Sequence, residues 1–132
     1  MIKTRYRDYA VSAWAFFGQL KCPKSVQLAE YRLKEYILKT NLSMTDTQYK
    51  ASLDDLIACV MACADISRRA DADDIKAALT IYTKYNHRRR GNIENGVTSV
   101  SSDIHMSAPQ IYRKLTLCRD LFAYYRGLRM SA

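Results

Sequence analysis

Residues 97–115 read VTSVSSDIHMSAPQIYRKL, and this stretch predicts two helices joined by a tight turn. Small and apolar residues recur at helical spacing as far as Ile104, after which the pattern is interrupted. Ser107 and Gln110 then have the spacing of a capping box, in which each side chain accepts a hydrogen bond from the other residue's backbone N–H. Pro109 suits the first turn of the second helix, because its missing N–H would have no partner there. The segment therefore predicts a helix-turn-helix unit.

The second helix of this unit has two chemically different faces. Apolar residues at steps of four, three and four predict the face that packs on the core: Ile111, Leu115, Cys118 and Phe122. The other face carries side chains that donate hydrogen bonds to phosphates and bases: Tyr112, Arg113, Thr116 and Arg119. A short helix, a turn and a basic helix form the arrangement that many proteins place in the DNA major groove. Two helices joined by a turn also occur in proteins that bind no DNA, so a purely structural corner is the alternative.

Length and composition predict an all-α fold of five to six helices. The chain has 132 residues, of which 48% are hydrophobic, which is enough for a buried core. Only four Gly and two Pro occur, and such a small number favours long helices over many strands and turns. Apolar periodicity predicts helices at residues 4–19, 25–40, 46–69 and 72–87, before the helix-turn-helix unit. We expect residues 1–90 to form a helical bundle that oligomerises or binds a protein, and residues 91–132 to form the DNA-binding part.

Local signals refine these boundaries. Ser25 is expected to cap the second helix, and Ser52 with Asp55 predicts a helix start inside the third region. Residues 91–96, which contain two of the four Gly, are expected to form a flexible elbow before the helix-turn-helix unit. The third region has an apolar stripe that is expected to face the core: Leu53, Leu56, Ile57, Val60, Cys63 and Ala64.

Positive charge is concentrated in the last third of the chain. The formal net charge is +8, from 21 Lys and Arg against 13 Asp and Glu. From residue 84 onward nine basic residues stand against three acidic ones, a balance of +6, whereas residues 1–83 carry +2. This distribution suits a polyanionic partner, although a basic composition alone is weak evidence for one. The run Arg88, Arg89 and Arg90 either complements the dipole at a helix C-terminus or binds phosphate, and both interpretations stay open.

The sequence has no pattern typical of a catalytic, metal or cofactor site. It contains two His, no Gly-rich phosphate loop and no nucleophile spaced with a base, so an enzyme is not expected. Cys59 and Cys63 lack a second pair of ligands, and we expect reduced, buried thiols in a cytoplasmic protein. Asp71, Asp73 and Asp74 are expected to offset a helix dipole rather than to bind a divalent metal. We also expect no membrane span and no secretory signal.

Residues 74–128 resemble region 4 of sigma-70-type factors. The order of parts carries the resemblance: IKAALTIYTKY, a basic loop, a short helix, and MSAPQIYRKLTLCRDLFAYYRGL. Ser101, Met106 and Ile111 match the three positions that hold the two helices together in that family. The layout is also similar to small phage and prophage transcriptional regulators of the ArpU and RinA kind. Two departures are His105, where the family usually has Gly, and a first helix rich in Ser and Thr.

The resemblance implies a sequence-specific DNA-binding transcription regulator that binds double-stranded DNA and needs no cofactor. It implies that five residues face the groove, with Arg113 making a bidentate contact to guanine: Ser107, Ala108, Tyr112, Arg113 and Thr116. Phosphate contacts are expected from Lys114 and Arg119. Gln110 has two candidate roles, helix capping and base contact, and capping is favoured. A homodimer formed through the N-terminal helices is also expected, since one helix-turn-helix unit makes few contacts.

Two other functions fit the same residues. A helical adaptor would bind RNA polymerase through the first helix, which is rich in Tyr and Trp, because aromatic residues are favoured at interfaces. A small terminase subunit would combine a helix-turn-helix unit with an oligomer. A steep loss of affinity with salt would favour DNA over an aromatic protein interface.

Overall fold

The computed structural model describes residues 2–84 and 91–128, with side chains from residue 6 onward. Six helices are present in these ranges: α1 (Ile2–Gln19), α2 (Val26–Thr40), α3 (Asp46–Ser67), α4 (Ala72–Lys84), α5 (Asn92–Ile104) and α6 (Ala108–Arg126). No strand occurs within the described residues, so the prediction of an all-α fold with five to six helices is confirmed. None of these helices is long and apolar enough to cross a bilayer. The end of the predicted fourth helix lies outside the described residues.

Capping side chains explain where two of these helices begin. Ser25 accepts a hydrogen bond from the Leu28 N–H at 3.1 Å, so the predicted cap of α2 is confirmed. Helix α3 begins at a capping box between Thr45 and Gln48 that the sequence analysis missed. The predicted helix start at Ser52 is wrong, because the Thr45 cap lets α3 run unbroken through that position.

Helix α3 lies at the centre of the bundle and contacts α1, α2, α4 and α6. Its fully buried residues are Leu56, Ala58, Cys59, Ala62 and Ile66. The predicted apolar stripe therefore overlaps the buried face only in part, and Ala64 is exposed. The physical reason is that neighbours on several sides of α3 bury a wider face than one amphipathic stripe, and small side chains such as Ala58 and Ala62 let helices approach closely.

All six helices contribute to one hydrophobic core. Trp14 of α1 is fully buried, and its indole N–H donates a hydrogen bond to the backbone carbonyl of Cys118 in α6 at 3.0 Å. The same ring packs edge-on against Phe17 and at a tilt against Phe122. Val97 and Val100 of α5 belong to the same cluster of buried side chains as these aromatic residues. Residues from both predicted parts of the chain are thus packed together.

Residues 91–96 do not form the elbow that the sequence analysis predicted. Gly91, with φ of 83°, is the N-cap residue of α5, and Gly96 is a buried residue inside that helix. The helical pattern of Ile93, Val97 and Val100 explains this, because apolar burial on α4 outweighs the weak helix propensity of the glycines. Helix α5 is therefore 13 residues long, longer than the short first helix that the sequence predicted.

Asp55 connects three helices through one carboxylate oxygen. The Tyr9 hydroxyl of α1 and the Arg126 Nε of α6 each donate a hydrogen bond to Oδ1 of Asp55 at 2.7 Å. The Arg126 and Asp55 side chains are both about four-fifths buried, so this ion pair is better shielded from solvent than an exposed one. Burial and the bond to Asp55 together raise the pKa of the Tyr9 hydroxyl. Asp55 is therefore part of the scaffold that positions α6.

Candidate nucleic-acid interface

Helices α4, α5 and α6 contact one another and form a three-helix unit. Helix α5 ends at Ile104 and α6 begins at Ala108, so three residues connect them. A connection of this length is typical of a helix-turn-helix motif. The predicted two helices and tight turn are therefore present.

Residue His105 makes the turn possible by adopting the left-handed region, with φ of 54° and ψ of 46°. Its backbone N–H donates to the Ser101 carbonyl, as in a helix that ends in an αL residue. The Met106 N–H also donates to the Ser101 carbonyl, at 3.2 Å, and the Ser101 hydroxyl donates to the Met106 carbonyl at 2.5 Å. Ile111, the third residue singled out by the resemblance, is fully buried below this turn. Hydrogen bonds between Ser101, near the end of α5, and the two turn residues His105 and Met106 therefore hold the turn.

The predicted capping box at the start of α6 is confirmed. The Gln110 N–H donates to the Ser107 hydroxyl at 3.4 Å, and the Ser107 N–H donates to the Gln110 side-chain oxygen at 3.1 Å. Pro109 lies in the first helical turn, as expected. Both capping side chains are exposed but engaged with each other, so their observed role is to fix the first turn of the helix.

The apolar face of α6 follows the predicted spacing. Its four predicted core residues are each no more than 1% exposed: Ile111, Leu115, Cys118 and Phe122. Since these residues point into the core, the opposite side of the helix must face away from it. We refer to that opposite side as the outer face of α6, made of Ala108, Tyr112, Arg113, Thr116 and Arg119.

The outer face is exposed along the first half of α6 and carries no acidic residue before Asp120, which follows Arg113 by about two helical turns on the same side. Tyr112 is 41% exposed, and Arg113 makes no hydrogen bond or ion pair within the described part of the chain. Residues 108–119 contain three basic and no acidic side chains, and the first acid is the exposed Asp120. The face that could meet a polyanion is therefore limited to the first three turns of the helix.

Arg119 is half-buried and is oriented by two hydrogen bonds. Its guanidinium donates to the Tyr82 hydroxyl at 3.2 Å and to the Thr116 hydroxyl at 3.1 Å. The Thr116 hydroxyl in turn donates to the Tyr112 carbonyl at 3.0 Å. Burial raises the pKa of Tyr82, so its hydroxyl stays neutral beside the arginine. These contacts fix the guanidinium at the edge of the outer face and leave further N–H donors for a phosphate.

Lys114 lies off the outer face and is engaged within the protein. Its ammonium group donates to a carboxylate oxygen of Asp71 at 2.8 Å, and its side chain is 15% exposed. The hydrogen bond from Lys114 lowers the pKa of the Asp71 carboxyl. Asp73 and Asp74 lie in the first turn of α4, where acids offset the helix dipole as predicted, whereas Asp71 serves the ion pair.

The structure adds one basic residue that sequence reasoning did not find. Arg7 of α1 lines a cleft of about 330 Å³ together with Tyr82, Tyr112 and Arg119. The cleft also contains one acid, Asp8, and it borders the outer face of α6. No sequence pattern links Arg7 to this site, because only the packing of α1 beside α6 brings them together.

The buried thiols show no sign of a metal site. Within the described residues no group of three or more His, Cys, Asp or Glu is arranged to hold a metal ion. Cys59 is fully buried, and burial raises its pKa well above the ordinary value. Burial also raises the pKa of Cys63 to about 12, so both residues are neutral thiols near pH 7.

Of the eleven residues predicted to contact DNA, the structure describes eight. The outer face brings together five of them: Ala108, Tyr112, Arg113, Thr116 and Arg119. Ser107 and Gln110 cap the helix, and Lys114 binds Asp71. The remaining three, Arg88, Arg89 and Arg90, lie outside the described residues. No protein-family model, curated protein or solved structure matches this chain.

Proposed function

We propose that this chain is a sequence-specific DNA-binding regulator of transcription that places α6 in the major groove. The observation that carries the proposal is the outer face of α6, where Arg113 is exposed and unpaired within the described residues, on the second helix of a helix-turn-helix unit. A protein needs such a side chain to read bases, because arginine recognises guanine through two parallel hydrogen bonds. The resemblance to region 4 of sigma-70-type factors points to the same helix.

The contacts that hold α6 in place favour DNA recognition by a preformed surface. The capping box fixes its first turn, and the Ser101–Met106 hydrogen bonds fix its angle to α5. On the core side, the Trp14 indole binds the backbone of Cys118. A helix held at both ends loses little further conformational entropy on binding, so more of the contact energy is available for affinity.

Each residue of the interface has a role that its position supports. Arg113 is the proposed reader of guanine, and Ala108, at the start of the helix, suits apolar contact with a thymine methyl group. Tyr112 and Thr116 flank Arg113 on the same face. Arg119, oriented by Tyr82 and Thr116, is proposed to bind a phosphate beside the groove.

The alternative function, a helical adaptor for RNA polymerase, requires exposed aromatic side chains on α1. Few of those side chains are accessible to a partner. Trp14 and Phe17 are fully buried in the core. Tyr9 is partly exposed, but its hydroxyl is bonded to Asp55. No observation in the described residues favours this alternative over DNA binding.

The proposal can be tested by selecting duplexes that the full chain binds from a random pool, and then comparing variants on the selected site. Arg113→Ala is expected to weaken binding about 5- to 150-fold, since a bidentate base contact is worth about 1–3 kcal/mol of discrimination. Its thermal midpoint should stay unchanged, because Arg113 has no partner in the described structure to lose. Lys50→Ala, at an exposed lysine of α3, is the matched control and should bind as the unmodified chain does.

Two outcomes would contradict the proposal. The first is equal affinity of the unmodified chain for selected and scrambled duplexes. The second is full binding by Arg113→Ala on the selected site. Lys114 should not be replaced together with Arg113, because the loss of its ion pair with Asp71 would lower stability and confuse the result.

A further inference from the structure

A second site lies on a different part of the molecule from the outer face of α6. A cavity of about 570 Å³ opens between the end of α1, the connection to α2, and helices α3 and α4. No residue of α5 or α6 lines it. Its volume falls within the range of about 300–1,000 Å³ that is usual for small-molecule sites.

The wall of the cavity is largely apolar. It is formed by Phe17, Pro23, Val60, Ala64 and Leu79. Ala64 is exposed and Val60 is half-buried, so part of this apolar surface is open to solvent rather than filled by the protein's own side chains. Covering it would remove apolar area from water, which favours binding of a ligand with an apolar body.

Three lysines line the same cavity, and among the described residues no acid lines it. Lys24, Lys76 and Lys84 are all exposed. Lys76 and Lys84 share one face of α4 with two hydroxyl side chains that also line the cavity, Thr80 and Thr83. The lysines make no ion pair within the described part of the chain. The site therefore combines an apolar wall with positive charge that no described acid pairs, while the Thr80 and Thr83 hydroxyls donate to backbone carbonyls of α4.

We propose that this cavity binds a small amphipathic anion, in which an aliphatic or aromatic body carries a carboxylate or phosphate group. The apolar body would cover the wall, and the anionic group would lie among the lysines, whose ammonium groups bind such anions as point charges. A protein helix is too large an occupant, because a cylinder about 10 Å wide fills 570 Å³ in less than two turns. The inference does not depend on DNA binding, since the two sites share no residue.

Cys22 provides a direct reporter of occupancy. It is exposed and lines the cavity, whereas the other lining thiol, Cys63, is half-buried and has a pKa of about 12. We expect decanoate, below its micellar concentration, to slow modification of Cys22 by a thiol reagent several-fold and to raise the thermal midpoint of the full chain. Decyltrimethylammonium, which has the same tail and the opposite charge, should do neither. Comparing the protection of Cys22 by decyl phosphate with that by decanoate shows which anionic group the lysines prefer.

Three variants separate the parts of this proposal. Lys76→Ala with Lys84→Ala should weaken decanoate binding about 4- to 25-fold, because each exposed charge contributes about 2- to 5-fold. Ala64→Trp should abolish binding by filling the cavity while every lysine is kept. Lys50→Ala, which removes an exposed lysine outside the cavity, should have no effect.

The results that would overturn the proposal are distinct. Equal protection by decanoate and decyltrimethylammonium would show that the lysines do not select an anion. Absence of any protection or thermal shift would show that the cavity binds no such ligand. Binding to anionic phospholipid vesicles without binding of monomeric decanoate or decyl phosphate would point to a membrane surface instead.

Discussion

The ammonium group of Lys114 lies 2.8 Å from a carboxylate oxygen of Asp71, and this ion pair ties α6 to the residue that precedes α4. The adjacent Arg113 is exposed and unpaired within the described structure. Two neighbouring basic residues of one helix thus have different tasks. Lys114 fixes the helix against the bundle, and Arg113 stays exposed on the outer face.

Replacing Asp71 with Asn should lower stability in a way that depends on pH. Lys114 holds the pKa of the Asp71 carboxyl below its ordinary value of 3.8, so the pair stabilises the fold above that pH and is lost as the pH falls through the lower, folded-state pKa. The thermal midpoint of Asp71→Asn should therefore lie below that of the unmodified chain at pH 7. The two midpoints should converge below pH 3.8.

Thermal melts of the two proteins between pH 2 and pH 7 check this prediction. Asp73→Asn is the matched control, because Asp73 is an exposed acid with no ion pair in the described structure. The difference in thermal midpoint between Asp73→Asn and the unmodified chain should be smaller, since this substitution removes no ion pair. A difference in thermal midpoint between Asp71→Asn and the unmodified chain that stays constant down to pH 2 would contradict a role for the charged carboxylate.

The salt dependence of DNA binding should reveal how many basic residues touch phosphates. Each neutralised phosphate contributes about −0.9 to the slope of log affinity against log salt concentration. Arg7→Ala and Arg119→Ala should each reduce the slope by about that amount, because both residues line the cleft at the edge of the outer face. Lys50→Ala should leave it unchanged. An unaltered slope for Arg7→Ala would exclude a phosphate contact by Arg7.

The helix-turn-helix unit could be predicted from the sequence because its signals are local. The capping box joins Ser107 to Gln110, three residues apart, and the core-facing residues of α6 recur at helical spacing. Such short-range patterns depend only on backbone geometry and burial of one face. The same reasoning missed the Thr45–Gln48 cap, although its spacing is identical.

The long-range contacts of the site could not be predicted, because they depend on how helices pack. Asp71 and Lys114 are 43 residues apart, and Trp14 and Cys118 are 104 apart. No single sequence pattern specifies such pairs. The prediction of an elbow was wrong for another reason. Gly91 and Gly96 are turn signals, but the helical spacing of the apolar residues around them favours a helix that packs on α4.

Replacing His105 with Gly should stabilise the protein. A residue with a Cβ at φ of 54° is strained by about 1–2 kcal/mol, whereas glycine adopts this region freely. The greater conformational freedom of glycine in the unfolded chain offsets part of the strain that is relieved. We therefore expect the free energy of unfolding to rise by about 1 kcal/mol. Urea unfolding measures it. Ser102→Gly, one turn earlier at an exposed helical position, should instead lose about 0.5 kcal/mol.

Only Cys22 should react with a thiol reagent in the folded protein. It is exposed, whereas Cys59 and Cys118 are fully buried and Cys63 is half-buried. Burial raises the pKa of Cys63 and of Cys118 to about 12, which leaves almost no thiolate at pH 8. Mass spectrometry after brief labelling should find one modified cysteine, and all four after denaturation. Rapid labelling of Cys59 in the native state would contradict the packing of α3 against α1.

Replacing Gly18 with Ala should destabilise the fold, although alanine is the better helix former by about 1 kcal/mol. A Cβ at Gly18 would lie 2.1 Å from the Thr83 carbonyl oxygen and 2.6 Å from the Thr83 Cα, so α1 and α4 would have to separate. Overpacking typically costs about 1–3 kcal/mol, and contact with backbone atoms this close places Gly18→Ala in the upper part of that range, above the helical gain. Urea unfolding measures the net loss. Because the obstructing atoms belong to the backbone, adding Thr83→Ala should not restore stability. Rescue by that second change, or a gain from Gly18→Ala alone, would show that the two helices do not cross at this glycine.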